Sequence, residues 1–366
     1  MRSLTIESLG IRGFRNLVSV DLALGPRLNV FSGDNGQGKT SLLEATYAVA
    51  TSRSFRSSKL GELVGTYGDT ASVRAVVVEE DGSREQVVGL KRGSRVVRID
   101  GRRPATLAEY ATATPVVAFH PGAIALSSGA SAERRRLLDR VALHESPASL
   151  AEADAYTRAL RSRQRILDVR GELARDLSQW EELVVRHGLA VAEARDRAAA
   201  KLLPRAVAAF GRLGPRGLSL AGRYVRGAPE EAGSYRSALE GSRVRDRARG
   251  SASVGPHRDD VELELGGRPA RGIASQGQHR TIVLSLQLAE IEVIAEKRGM
   301  RPILLLDDVS SELDAARTTA LFDSLREERG QVLLTTTRPE LIETGGLSGM
   351  EERKDFVVVE GQIRRS

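Results

Sequence analysis

Cysteine is absent from this 366-residue chain. That rules out a disulfide framework and any thiolate metal site. Histidine occurs five times without clustering, which argues against a histidine-based zinc site. Aromatic residues make up only 4% of the chain, so recognition by base stacking is expected to be minor. No apolar run reaches the length of about 20 residues that a membrane-spanning helix needs. The N-terminus also lacks the apolar segment of a secretory signal. A soluble, cytoplasmic protein with no membrane partner is the expectation. Lysine is scarce too: nearly all of the 55 basic residues are arginine, against 48 acids, for a net charge of +7. That excess favours a polyanionic partner, and the planar donor fork of arginine suits phosphate. A genomic base-composition bias would swap lysine for arginine in the same way.

The most informative segment is Gly33-Asp34-Asn35-Gly36-Gln37-Gly38-Lys39-Thr40. It fits the Gly-x-x-x-x-Gly-Lys-Thr phosphate-binding loop. The apolar run Leu28–Phe31 before it predicts a buried strand, and Ser41–Ala45 after it predicts a helix start. Strand, loop and helix in that order are the context the motif requires. Glycines let the backbone wrap an anion closely, and the N–H groups of the loop and helix N-terminus point at it. Lys39 is expected to reach the β- and γ-phosphates of ATP, and Thr40 to ligate Mg2+, with Ser41 beside them.

Around this unit, alternation predicts two antiparallel strands within Leu4–Leu22 that turn near Phe14-Arg15-Asn16. A β-meander follows at Ser72–Val78, Gln86–Leu90 and Arg95–Asp100, then a buried strand at Val116–Phe119. From about Gly129 the composition turns rich in Ala, Leu, Arg and Glu at helical spacing. One helix opens at Ser131. A second is capped by Ser146 with Pro147 at its first position. A third runs from Leu173 to Leu203 and is stopped by Pro204. Strand character returns at Leu218–Tyr224 and Val261–Leu265, around a helix near Tyr235–Leu239. A long helix Gln278–Lys297 precedes strands Pro302–Leu306, Val332–Thr335 and Phe356–Val359, with a helix near Ala315–Leu325. The expected organisation is an α/β head split into 1–128 and 253–366 by an inserted helical lobe, 129–252.

Ile303–Leu306 followed by Asp307-Asp308 reads as a central strand ending in a Walker B pair. Asp307 would hold Mg2+, and Asp308 would polarise the attacking water, with Lys39 as the other catalytic group. Upstream, Ser275-Gln276-Gly277-Gln278 stands at a helix entry able to hold a γ-phosphate. Its spacing to Walker B matches the signature motif of ABC ATPases. Ser310-Ser311-Glu312-Leu313-Asp314 reads as a D-loop or, equally, as a capping box.

Together these elements resemble the RecF family, recombination-mediator ATPases of bacterial DNA repair. The resemblance also rests on Gly10–Asn16, Arg53-Ser54-Phe55-Arg56, Arg134–Asp139 and Gly255-Pro256-His257-Arg258-Asp259-Asp260. It implies a P-loop ABC-type ATPase head with a β-meander subdomain and a short helical lobe in place of a long coiled coil. It further implies an ATP-dependent homodimer in which each P-loop faces the partner's signature. DNA binding near single-strand gaps, slow DNA-stimulated hydrolysis, and work with RecO and RecR to load recombinase complete the expectation. The alternatives are an SMC-like tether that uses ATP as glue, and a transporter subunit.

Two departures from the transporter pattern favour a switch over a motor. Asp308 stands where transporters carry Glu, and Thr335-Thr336-Thr337 where they carry a switch His. A threonine hydroxyl can bond a γ-phosphate but cannot relay charge. His120 lies near the expected Q-loop and is left unassigned. Arg53, Arg56, Lys59, Arg134 and Arg135 are candidate DNA-phosphate contacts, with a solvated basic loop as the alternative for the first three. His257–Asp260 reads either as a family motif or as a local ion-pair turn.

Overall fold

The computed structural model describes residues 2–66, 68–308, 330–339 and 353–366. In chain order the elements are β1 (Leu4–Phe14), β2 (Leu17–Ala23), β3 (Leu28–Ser32), α1 (Lys39–Thr51), β4 (Thr70–Glu79), β5 (Gly82–Lys91), β6 (Ser94–Ile99), α2 (Leu107–Ala113) and β7 (Val116–Phe119). Then come α3 (Ala125–Ser128), α4 (Ser131–Glu145), α5 (Ala148–Arg170), α6 (Leu177–Leu213), β8 (Leu220–Val225), α7 (Ala232–Arg249), β9 (Asp260–Leu265), β10 (Arg268–Pro269) and α8 (Ala270–Ile273). The chain continues through α9 (Gln276–Arg298), β11 (Ile303–Asp307), β12 (Val332–Thr336), β13 (Arg353–Val359) and β14 (Gln362–Arg365). Two compact units result, Met1–Ala123 with Ile291–Ser366, and Ile124–Glu290. No helix among the described residues is long and apolar enough to cross a membrane.

The first unit holds two sheets. One is antiparallel, in the order β2-β1-β4-β5-β6; the other runs β14-β13-β3-β12-β11-β7 and is parallel except for β14. β11 and β12 are buried at every position, as central strands covered on both faces must be. Asn29 is the polar exception inside β3. Its amide closes on the Gly25 backbone at 2.7 and 2.9 Å, so burial leaves it satisfied. In β1 the buried set shifts phase from Leu4 and Ile6 to Leu9 and Ile11. A bulge between Ile6 and Ser8 causes the shift, because one extra residue flips every later side chain to the other face. Phe31 of β3 stacks on Phe356 of β13 at 4.8 Å.

The second unit packs α4, α5, α6 and α7 with the small sheet β10-β9-β8. Tyr156, Val184, Val185, Tyr235 and Leu239 form part of its core. Arg163 is completely buried there. It donates to Glu181 at 3.1 Å, Asp246 at 2.8 Å and the Leu239 carbonyl at 2.8 Å. A buried charge survives only with such partners.

Three features differ from the sequence-based expectation. Pro204 does not stop the third helix, since α6 continues to Leu213. Proline forfeits one intrahelical bond, but Leu202, Leu203, Ala206, Ala209 and Phe210 keep a buried stripe on both sides of it. Ser146 does not cap α5 through its side chain; Pro147 occupies the cap position itself. The second compact unit runs to Glu290 rather than 252; pairing of β8 with β9 along its whole length accounts for the part up to Leu265. The expected helix near 315–325 lies outside the described residues.

Candidate nucleotide site

In the first unit, β3, β12 and β11 run parallel, with Ser32 beside Thr336 and Thr335 beside Asp307. Their carboxyl ends therefore open on one edge, where ligands of such sheets bind. The loop Gly33–Gly38 leaves β3 there and enters α1, whose first residue is Lys39. Gly33 has φ +153, and a Cβ on it would collide with the Val358 carbonyl. Gly38 has φ +112, and a Cβ would press on Leu17 and Asn16 at 3.0 and 3.1 Å. Both positions therefore demand glycine for conformation and for space. The loop is braced further by Gln37, whose side-chain and main-chain oxygens accept from the Glu360 and Gly361 amides at 2.5 and 2.9 Å. Asp34, Asn35 and Gly36 form the exposed crest, while Ser41 is buried.

No side chain caps the N-terminus of α1, and no acid stands in its first turn. Its amides and macrodipole thus face the loop uncancelled. Lys39 folds back inside the loop, donating Nζ to the Gly33 and Asp34 carbonyls at 2.6 and 2.8 Å. Burial pushes its pKa down, against the opposing pull of Asp308, Asp307 and Asp34. A phosphate oxygen would offer this ammonium a charged acceptor in place of neutral ones.

Thr40 Oγ1 donates to Asp307 at 2.8 Å, joining residues 267 apart in sequence. Thr335 Oγ1 donates to the same carboxylate at 2.9 Å and accepts from the Asp308 amide at 3.0 Å. Asp308 itself sits at φ +50. Burial raises the Asp307 pKa despite the two hydroxyls. A buried carboxylate whose ionisation is disfavoured gains from a divalent cation, which reverses that local balance. Among the described residues, no group of three or more His, Cys, Asp or Glu could hold a metal. Thr40 and Asp307 fit Mg2+, which is commonly held by one or two carboxylates together with substrate phosphates. Thr335 corrects the expectation placed on it. Its hydroxyl is committed to the Walker B turn, because it is fully buried beneath Asp307.

Sequence reasoning missed Glu44. This residue of α1 is fully buried and receives Arg15 Nε and Nη2 at 3.0 and 2.8 Å, Ser54 Oγ at 2.5 Å and Arg56 at 3.4 Å. It gathers the Phe14–Asn16 turn and the Arg53–Arg56 segment onto the P-loop helix. The only available signal was an acid inside an otherwise apolar helix start. Phe55 packs edge-on to Tyr47 and against His120 at 4.8 Å. Arg53 and Lys59 stay exposed, Lys59 within 3.7 Å of Glu62.

In the second unit, Ser275 and Gln278 cap α9 reciprocally. The Ser275 amide donates to Gln278 Oε1 at 2.7 Å, and the Gln278 amide to Ser275 Oγ at 3.3 Å. Ser275 and Gln276 are exposed, and Gly277 is half-buried. Just beyond, His279 Nδ1 meets Ser127 Oγ at 2.8 Å. Arg134 leaves the set of DNA candidates. It is buried, grips Asp260 with Nε and Nη2 at 2.6 and 2.9 Å, and spends Nη1 on the Leu126 and Gly129 carbonyls. Arg135 is half-buried, with Nη1 on Ser131 Oγ and the Asp259 carbonyl. His257–Asp260 is more than a local turn. Asp259 is fully buried and accepts from Arg195 at 2.9 Å, Tyr224 at 2.5 Å and the Gly227 amide at 2.7 Å. His257 joins Tyr156 at 2.6 Å and the Ala252 carbonyl at 2.9 Å. Ser310–Asp314, the D-loop candidate, lies outside the described residues.

The RecF/RecN/SMC N-terminal domain family model matches residues 5–355. Similar curated relatives include the "DNA replication and repair protein RecF" of Myxococcus xanthus, 38% identical over 92% of this chain and 91% of that one. That of Anaeromyxobacter dehalogenans strain 2CP-C is 41% identical, over 92% and 93%. A solved RecF with ATP, from the RecFOR pathway, superposes with a TM-score of 0.88 at 28% identity, covering 100% of this chain and 98% of that one. An SMC head bound to the C-terminal winged-helix domain of ScpA shares the fold alone, at a TM-score of 0.55 and 16% identity over 99% and 96% of the two chains. The P-loop and Walker B geometry, the family model and these relatives agree, and the chain belongs to the RecF family.

Proposed function

We propose that this protein is an ATP-gated DNA-binding switch of recombinational repair and replication-fork maintenance. Its ATP-bound form dimerises on DNA near single-strand gaps, hydrolyses ATP slowly with DNA stimulation, and acts with RecO and RecR. The observation that carries the reading is the convergence of Thr40 and Asp307 at 2.8 Å beside Lys39. The relatives' repair designation and the ATP-bound neighbour support the same assignment. When bound, Mg2+ neutralises charge on the triphosphate. The Gly33–Gly38 amides, Lys39 and the α1 N-terminus hold its phosphates, and Thr40 and Asp307 hold the cation. Asp308 orients the attacking water, held in place by Thr335. Its side chain is one methylene shorter than Glu, which fits slow turnover. Ser275, Gln276, Gly277 and Gln278 of a second copy complete the pocket on the γ-phosphate side. Arg53, Arg56 and Lys59 contact DNA phosphates, as does the outer edge of Arg135.

Light scattering of wild type and Lys39→Met with ATP, with ADP and without nucleotide tests this. Dimers are expected only for wild type with ATP. Equal dimerisation under all conditions would refute a switch and leave the SMC-like tether.

A further inference from the structure

The solvent face of the antiparallel sheet in the first unit carries a shallow trough of about 430 Å³. Arg12, Ser72, Gly89 and Val96 form one rung across β1, β4, β5 and β6. Their strand neighbours Ile11, Val73, Val88 and Val97 are buried, so this rung faces water. The two middle positions are small and the two outer ones large, which hollows the sheet along its centre. Three strand spacings separate the rims, about 14 Å. Lys91, Ser94 and Arg95 line the β5–β6 hairpin end. Three cations and no acid line the trough.

Lys91 and its neighbour Arg92 are exposed and make no ion pair among the described residues. Arg12 pairs with Asp21 at 2.7 Å, but both side chains are at least half exposed. Arg12 Nη1 stays on the Ile11 and Val20 carbonyls, but exposed pairs are worth little, so Nη2 can exchange Asp21 for an incoming anion. Arg95 donates to the carbonyl of Ser52, which places the segment carrying exposed Arg53 beside β6. Among the described residues no aromatic lines the trough. Its contacts would therefore be with phosphates and indifferent to base sequence.

We propose that this trough binds the sugar–phosphate backbone of a single DNA strand. The proposal rests on the DNA-binding reading above and locates that contact on the β-meander. One backbone fits between the rims. A duplex has two, separated by a major groove that is itself about 12 Å wide, and would ride on the rims instead.

The test is fluorescence anisotropy of the full chain with ATP and, in separate arms, a labelled oligo-dT, duplex DNA or poly-glutamate probe, between about 50 and 200 mM salt. Lys91→Ala is compared with wild type and with a charge-matched control, Lys297→Ala, at an exposed position of the same unit. Circular dichroism verifies that all three are folded. The lost Lys91 phosphate contact should make the log–log salt slope shallower by about 0.7 and weaken binding at 0.1 M about 5-fold, while the control follows wild type. If wild type binds and the hairpin variant matches it in affinity and slope, the trough proposal fails and the DNA reading stands. If wild type binds no DNA with ATP, the DNA reading itself fails. A variant that loses only duplex binding, or only binding to poly-glutamate, would overturn the single-strand assignment.

Discussion

Replacing Asp259 with alanine should nearly unfold the second unit, although the residue is far in sequence from both nucleotide motifs. The carboxylate is fully buried and is the shared acceptor for the Arg195 guanidinium, the Tyr224 hydroxyl and the Gly227 amide. Deletion leaves two half-buried neutral donors without a protein partner, each costing about 1 kcal/mol, the low end of the range for unsatisfied groups. Arg195 keeps Asp139 and the Pro256 carbonyl. Its added loss is therefore below the roughly 3–5 kcal/mol of a fully broken buried pair. A total of about 3–5 kcal/mol is expected, against a net stability of about 5–15 kcal/mol for a typical protein. Glu262→Ala is the internal control. Its side chain is half exposed and pairs with exposed Arg223, so less than about 1 kcal/mol is expected. Urea unfolding followed by circular dichroism, with limited proteolysis to locate the opening, reads both variants. If Asp259→Ala unfolds within about 1 kcal/mol of wild type, the spread of ordinary substitutions, or no less stably than Glu262→Ala, the hub is not what holds this loop.

Two further outcomes follow from the second unit. His257 is half-buried, and this desolvation lowers its pKa below 6.5 against the opposing pull of the Ala252 carbonyl on Nε2. Its neutral form is thus favoured by folding. The associated stability is present above pH 6.5 and is lost as pH falls through the depressed value. Thermal unfolding between pH 7.5 and 5, at about one-unit steps, should show a decline that is smaller in His257→Gln; identical profiles would refute the assignment. Pro204→Ala should raise stability by about 1–3 kcal/mol, because an exposed interior proline gives way to the best helix former. An unchanged or lowered unfolding midpoint would show that α6 depends on the proline.

Legibility in the sequence followed range. The P-loop, the strand pair around Phe14–Asn16, the meander and the apolar run before Asp307 were readable because each is a local pattern: a fixed motif spacing, an alternation of period 2, or an unbroken apolar run. Glu44 escaped notice and Thr335 was expected at the γ-phosphate, because the roles of both depend on side chains arriving from other elements. Pro204 misled because the rule that proline ends a helix weighs only the backbone, whereas the flanking buried stripe decided the matter. The basic residues are the clearest case. With 55 cations and 48 acids, no pattern says which arginine is neutralised and which is displayed.

Sequence alone determined the chemistry of the phosphate loop, since glycine geometry, a lysine and a hydroxyl at fixed spacing are local properties. Only the tertiary structure decided that Arg134 and Arg195 turn inward to Asp260 and Asp259 while Lys91 and Arg92 remain in water. The physical reason is desolvation. A charge enters the interior only where a distant carboxylate meets it, and that meeting is made by the fold.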